Sequence, residues 1–251
     1  MDFPSLPKPM ICAHRGASAH APENTLAAFS LAVEQHADAV ELDAKLTIDG
    51  EIIVIHDQTV DRTTGAHGRV RDLTLAEIKA LDAGSWKGSQ FTGEPIPTLD
   101  EVFKTVGGKC FINVELTNYA TPNDALVDRV IELVHRHGLE KSVFFSSFHP
   151  VNLLKAARLA PETPSGILST PGGSGWLARS LVGRWIAPWA VHPYYADIDA
   201  QYVQHQHSIG RLVNVWTVDA PEDIRKMIEF GVDGIITDDP VLARNILDKP
   251  L

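Results

Sequence analysis

The sequence lacks a disulfide framework: Cys12 and Cys110, its only two cysteines, sit in apolar strand-like runs without a Cys-x-x-Cys partner and read as buried free thiols. It lacks an apolar run long enough to span a membrane. Its N-terminus, Met-Asp-Phe-Pro-Ser-Leu-Pro-Lys-Pro, lacks the basic-then-apolar layout of a signal peptide, and its prolines point to an extended lead-in. These absences set the expectation of a cytoplasmic protein with no stable membrane association. A basic excess is missing too. The net charge of −10 over 251 residues argues against non-specific nucleic-acid binding, which needs a basic footprint, and no nucleic-acid partner is expected. It does not exclude an anionic substrate, since a metal ion and one arginine reverse the local field. No Gly-x-Gly-x-x-Gly follows the first strand-like run, which removes the main support for a dinucleotide-binding fold. No Gly-x-Ser-x-Gly elbow marks a serine nucleophile.

What is present is a repeat of strand and helix. Strands are expected at Met10–Ala13, Ala39–Asp43, Phe111–Leu116, Val143–Ser147, Gly166–Ser169, Ala190–His192, Leu212–Val218 and Gly234–Thr237, each followed by helical spacing. Asn24 is the expected N-cap of a helix from Thr25 to His36, and Thr121-Pro122 is expected to open one running to about His137. Pro171–Gly175 reads as a flexible loop. Eight such units predict an α/β fold, a closed (β/α)8 TIM barrel, as one domain over residues 1–251. An open doubly wound sheet is the alternative. Residues 58–97, polar and Gly-rich with a short helix near Leu75–Leu81, read as an insertion over one end, between the second and third barrel strands.

The stretch from Ala39 to Asp57 carries the densest chemistry. Side chains alternate along a strand, so Glu41 and Asp43 share a face while Leu42 points away. Asp49-Gly50 reads as a two-residue hairpin turn, a register that puts His56 opposite Asp43. Two carboxylates and an imidazole then share one patch. Carboxylate oxygens suit a hard divalent cation, and a histidine beside them can move protons. Catalytic groups of such barrels lie at the carboxyl ends of strands. His14 and Arg15 end the first strand, Glu41 and Asp43 the second, and Glu115 the third barrel strand. Ser146, His149, His192, Trp216 and Asp219 follow at the ends of later ones. Asp57 is expected to orient or cap, and Asp238-Asp239 to end the last strand and cap the last helix.

These residues also carry a resemblance. His14-Arg15-Gly16, Pro22-Glu23-Asn24-Thr25, Glu41-Leu-Asp43, Asp49-Gly50, His56-Asp57 and Asp61-Arg62-Thr63-Thr64-Gly65 resemble the glycerophosphodiester phosphodiesterase family. Ile96-Pro97-Thr98-Leu99, Asn113-Val-Glu115, Val215-Trp216-Thr217 and Asp233-Gly-Ile-Ile-Thr237-Asp238 extend the likeness over nearly the whole chain. The resemblance implies a metal-dependent barrel enzyme that hydrolyses glycerophosphodiesters to sn-glycerol 3-phosphate and an alcohol. Carried over by position, Glu41, Asp43 and Glu115 would be metal ligands, His14 and His56 the acid–base pair, and Arg15 a phosphate clamp. Trp216, His192 and Phe148 are expected substrate-pocket residues, Trp216 as an apolar wall for glycerol. Mg2+ is the first expectation for the cation and Ca2+ the second, since oxygen donors suit both. One departure stands out: Thr117 occupies the place where the family usually has a lysine, two residues after the third carboxylate. It motivates a rival reading, a catalytically weak barrel that binds phosphodiesters. A phospholipase-type relative acting on lipid is a further rival, and it would need an exposed apolar or membrane-binding stretch, which the sequence does not display.

Overall fold

Residues 3–249 are described by the structure, a computed structural model. Among these residues nine strands form one sheet: β1 Met10–Ala13, β2 Ala39–Leu46, β3 Ile52–Val54, β4 Phe111–Leu116, β5 Val143–Ser147, β6 Ser165–Ser169, β7 Ala190–Pro193, β8 Leu212–Val215 and β9 Gly234–Thr237. All except β3 run parallel, and β1 pairs with both β2 and β9, so the eight parallel strands close into the expected (β/α)8 barrel. Their apolar runs follow from burial on two faces, against the helices outside and the barrel interior inside. Outward side chains such as Val40, Leu42, Ile112, Val114 and Phe145 pack under the helical layer. Inward ones alternate with them.

The interior is filled from one end. Met10, Cys12, Ala39, Phe111, Phe144 and Ile236 form an apolar layer, with Phe3 packed against the rings of Phe111, Phe144 and Trp189. The lead-in is therefore a 3-10 turn at Phe3–Ser5 that plugs the amino-terminal end of the barrel, rather than an extended arm; Met1 and Asp2 lie outside the described residues. Both cysteines are free and buried, as expected. Above the apolar layer come the buried polar residues Asn113, Ser146, His192 and Asn214, and period-two alternation then brings Glu41, Asp43 and Glu115 to the carboxyl-terminal end.

The hairpin register differs from expectation by one residue. Ala44 pairs with Val54 and Leu46 with Ile52, and Ile55 N–H, not a His56 group, meets Asp43 O at 3.0 Å. The loop holds three residues: Thr47 N–H donates to Glu51 O and Gly50 N–H to Thr47 O, both at 3.0 Å, with Gly50 at φ +81°. A left-handed glycine at the third position makes the bulged form of the hairpin, and a one-residue slip exchanges the faces. His56 lies beyond the paired part of β3 and reaches the barrel mouth through the turn that follows.

Elsewhere the helix starts shift where side chains offer a better cap. The first helix is Leu26–Glu34 with Thr25, not Asn24, as N-cap. The helix expected from Thr121-Pro122 begins at Leu126, because Asp124 accepts from Asn118 Nδ2, Thr121 Oγ1 and Leu126 N–H and closes a separate turn. Between β3 and helix Leu99–Val106, the side chains of Val60, Val70, Ile78, Ala83 and Ile96 pack with Ile53 and Ile55 into a small core. After a 3-10 turn at Gly172–Gly175, within the stretch expected to be a flexible loop, two short helices, Trp176–Arg179 and Leu181–Ile186, take the place of the helix expected to follow β6. They and helix Pro150–Leu159 present an apolar surface the sequence reading did not find: Leu154, Trp176, Leu181, Val182 and Trp185 are exposed, Trp185 by 82%. Among the described residues no helix is long and apolar enough to cross a membrane.

Candidate active site

The carboxylates meet because of strand register. Asp43 on β2 pairs with Glu115 on β4, and Glu41 lies two residues before Asp43 on the same face. Oxygens from the three carboxylates lie within 4.8 Å of one another, and Glu41 and Asp43 are buried. Burial, then the charges of Asp43 and Glu115, pushes the Glu41 carboxyl well above its ordinary range. Burial and Asp43 push Glu115 up to about 8, against the Tyr119 hydroxyl, Arg15 and Lys45. Arg15 Nε, 3.5 Å from Asp43 Oδ2, offsets only part of this repulsion. A buried all-oxygen set short of positive charge fits a hard divalent cation.

The turn after β1 holds this cluster in place. Arg15 sits at φ +56°, an uncommon conformation for a bulky residue, and that turn directs its N–H to Glu41 Oε2 at 2.9 Å. Gly16 follows at φ +81°, where a Cβ would stand 2.6 Å from the Ala28 carbonyl carbon. Only glycine lets the turn close against helix Leu26–Glu34. Asn24, at φ +57°, clamps Asp43 from both sides: its Nδ2 donates to Oδ2 at 2.8 Å and its Oδ1 accepts from the Asp43 N–H at 3.4 Å. Tyr119 O–H donates to Glu115.

Each candidate acid–base histidine is held at Nδ1. His14 Nδ1 meets Asp238 Oδ1 at 2.6 Å, and His56 Nδ1 meets Asp57 Oδ1 at 2.7 Å. A carboxylate partner fixes Nδ1 as the protonated nitrogen and leaves Nε2 for a ligand. Arg62 hydrogen-bonds both Asp57 oxygens and, with His56 and against burial, holds that carboxyl down to about 2. The same guanidinium donates twice to Glu23, which also accepts from Arg15 Nη1 at 2.9 Å. His56, Asp57, Arg62, Glu23 and Arg15 thus form one continuous network. Asp57 orients a histidine as expected. Asp238 does so as well, whereas the helix capping expected of the Asp238-Asp239 pair falls to Asp239, which accepts from Leu242 N–H.

One cavity collects His14, Arg15, Glu41, His56 and Glu115, with Phe148, Leu168, Trp216 and Ile236 on its apolar side. Phe148 stands edge-on to Trp216 at 5.6 Å, and Trp216 Nε1 donates to His192 O at 2.8 Å. A wider surface depression of about 670 Å³ near Gly50, Arg129 and His137 holds none of the three carboxylates, so the convergence of chemistry, not size, locates the site. His192 is not where expected. It lies fully buried inside the barrel beneath this cavity, with Asn214 Nδ2 at 3.1 Å from its Nε2, and burial and Arg211 push it down to about 3. It is therefore a neutral packing residue. Ser146, expected near the rim, is likewise buried inside, and His149 caps helix Pro150–Leu159. The reading from sequence missed Glu23, Arg62 and Tyr119, and took Asn24 for a cap; only their place in or beside the quoted motifs hinted at a role.

Fold and site together define a barrel enzyme whose polar machinery is gathered at the carboxyl ends of its strands. The chain belongs to the glycerophosphoryl diester phosphodiesterase family, whose sequence pattern matches residues 14–242. A glycerophosphodiester phosphodiesterase of Caldanaerobacter subterraneus subsp. tengcongensis is 42% identical over 248 residues, covering 96% of this chain and 99% of that protein. The solved structure of an Oleispira antarctica phosphodiesterase in complex with the product sn-glycerol-3-phosphate superposes with a TM-score of 0.90 at 31% identity, over 98% of this chain and 99% of that one. A glycerophosphodiester phosphodiesterase structure from Agrobacterium tumefaciens str. C58 gives 0.80 at 32% identity, over 94% and 98% of the two chains.

Proposed function

We propose that this enzyme hydrolyses glycerophosphodiesters, such as glycerophosphocholine and glycerophosphoethanolamine, to sn-glycerol 3-phosphate and the head-group alcohol. The observation that carries this reading is the meeting of two carboxylate-held imidazoles, a guanidinium and clustered carboxylates around one cavity. The product named for the Oleispira antarctica phosphodiesterase supports it. Glu41, Asp43 and Glu115 would hold a divalent cation, Mg2+ before Ca2+ by expectation, which when bound supplies Lewis-acid polarisation of a phosphate oxygen.

The chain's own groups do the rest. Arg15 has Nη1 on Glu23 and Nε toward Asp43, so Nη2 is the nitrogen turned over to a phosphate oxygen. Trp216 and Phe148 form the apolar wall against the glycerol carbons. One imidazole takes a proton at Nε2 from the attacking hydroxyl, and the other delivers a proton to the alcohol oxygen as its P–O bond breaks. Ionised Asp57 and Asp238 stabilise each ring while it carries its second proton. The attacking hydroxyl is either water or the substrate's own glycerol hydroxyl, and phosphorus NMR of the running reaction separates them by the cyclic phosphate the second route forms. The test of the whole reading is release of sn-glycerol 3-phosphate from glycerophosphocholine with and without chelator. Metal-dependent release supports it, and no release from any head-group diester overturns it in favour of a binding barrel.

A further inference from the structure

Lys45 is a buried cation that the steps above do not use. It follows Asp43 by two residues on β2 and so lies on the face of Glu41 and Asp43. Thr117 follows Glu115 by two, just past the end of the neighbouring β4, and the Asp43–Glu115 register carries the two side by side. Lys45 Nζ donates to Thr117 Oγ1 at 2.7 Å, and Thr117 Oγ1 donates its own proton to Ala44 O, also at 2.7 Å. The hydroxyl proton is thereby committed to the backbone, and its lone pair is what holds the ammonium. Lys45 is only 5% exposed. Among the described residues Thr117 is its one hydrogen-bond partner, and no carboxylate oxygen lies within 4.0 Å of Nζ. An ammonium has three donors, and burying it with a single neutral partner is costly unless an anion completes its shell.

We propose that Lys45, oriented by Thr117, binds the phosphate of the substrate as a second cation beside Arg15. This rests on the reading that the cavity takes a phosphodiester. It also gives a physical sense to Thr117: the hydroxyl positions a lysine that reaches the site from β2, so the barrel keeps a cation that the sequence at position 117 itself does not provide.

The competing role for Lys45 is to neutralise the three carboxylates, and the two roles differ in sign. Removing a cation beside a metal site tightens divalent-cation binding, whereas removing a phosphate ligand weakens anion binding. Calorimetry on wild type, Lys45→Met, Thr117→Val and the double variant Lys45→Met/Thr117→Lys measures Mg2+ alone and then sn-glycerol 3-phosphate on the Mg2+-loaded protein. In Lys45→Met the expected result is Mg2+ affinity unchanged or tighter and product affinity down at least about tenfold, with KM for glycerophosphocholine raised more than kcat is lowered. The double variant is expected to recover much of that loss. Tighter Mg2+ binding with unchanged product affinity overturns the proposal while leaving the phosphodiesterase reading intact. Should Lys45→Met fail to fold, Thr117→Val decides: a several-fold loss of product affinity at constant Mg2+ affinity supports the proposal, and no loss overturns it. A wild-type protein that neither binds product nor turns over any diester takes down both readings together.

Discussion

In the metal-free protein Glu115 keeps its proton through neutral pH, because burial and Asp43 push it up to about 8. Glu41 is pushed in the same direction by burial and its two acidic neighbours. A cation that binds these oxygens has to displace the protons. Below about pH 8, each unit of acidification should therefore weaken apparent affinity about tenfold per displaced proton, or about 1.4 kcal/mol. From about pH 8 to about pH 6, one proton accounts for about a hundredfold. The same shift acts on stability. A carboxyl raised in the folded state contributes stability that is fully present below its unfolded value of 4.5 and is lost as pH rises toward about 8. Metal-free protein should lose up to a few kcal/mol over that window, and saturating cation should remove the loss. Mg2+ calorimetry in two buffers of different protonation enthalpy counts the protons, and thermal unfolding with and without chelator reads the stability. Affinity that is flat over this range, with no proton released, would refute the reasoning.

Asn24→Ala leaves the buried Asp43 carboxylate without its clamp, so metal affinity should fall about 10- to 100-fold in the same calorimetric titration. Asp57→Asn and Asp238→Asn each free a ring nitrogen from its carboxylate; steady-state kinetics on glycerophosphocholine should show kcat reduced by about 10²-fold or more with KM little changed. Gly166→Ala would put a Cβ 2.3 Å from His192 Nε2, and urea unfolding should show a loss of about 1–3 kcal/mol.

Much of this architecture was readable in the chain. The barrel strands are short apolar runs because parallel strands are buried on both faces, and the period of two alone puts Glu41 on one face with Asp43. Residues at strand ends, such as His14, Arg15 and Glu115, inherit their shared position from the barrel itself. What stayed hidden depends on partners distant in sequence or on turn geometry. Asp49-Gly50 fits a two-residue or a three-residue loop equally well by composition; a two-residue type I′ turn needs positive φ at both, and the register is decided by Gly50 alone of the two being left-handed. His192 looked like a pocket residue because it ends a strand, yet the missing side chain at Gly166 gives its ring room inside the barrel. Arg62 and Glu23 meet across 39 residues, and no local pattern announces such a pair. Asn24 precedes a helix and reads as its cap, while Thr25 takes that role and frees the amide for Asp43.

A crystal structure of the protein grown with Mg2+ and sn-glycerol 3-phosphate puts the central claim to its most direct trial. The account predicts one ion touching oxygens of Glu41, Asp43 and Glu115, and a phosphate reached by Nε2 of both His14 and His56. An ion bound elsewhere, or a phosphate out of reach of both imidazoles, would contradict it.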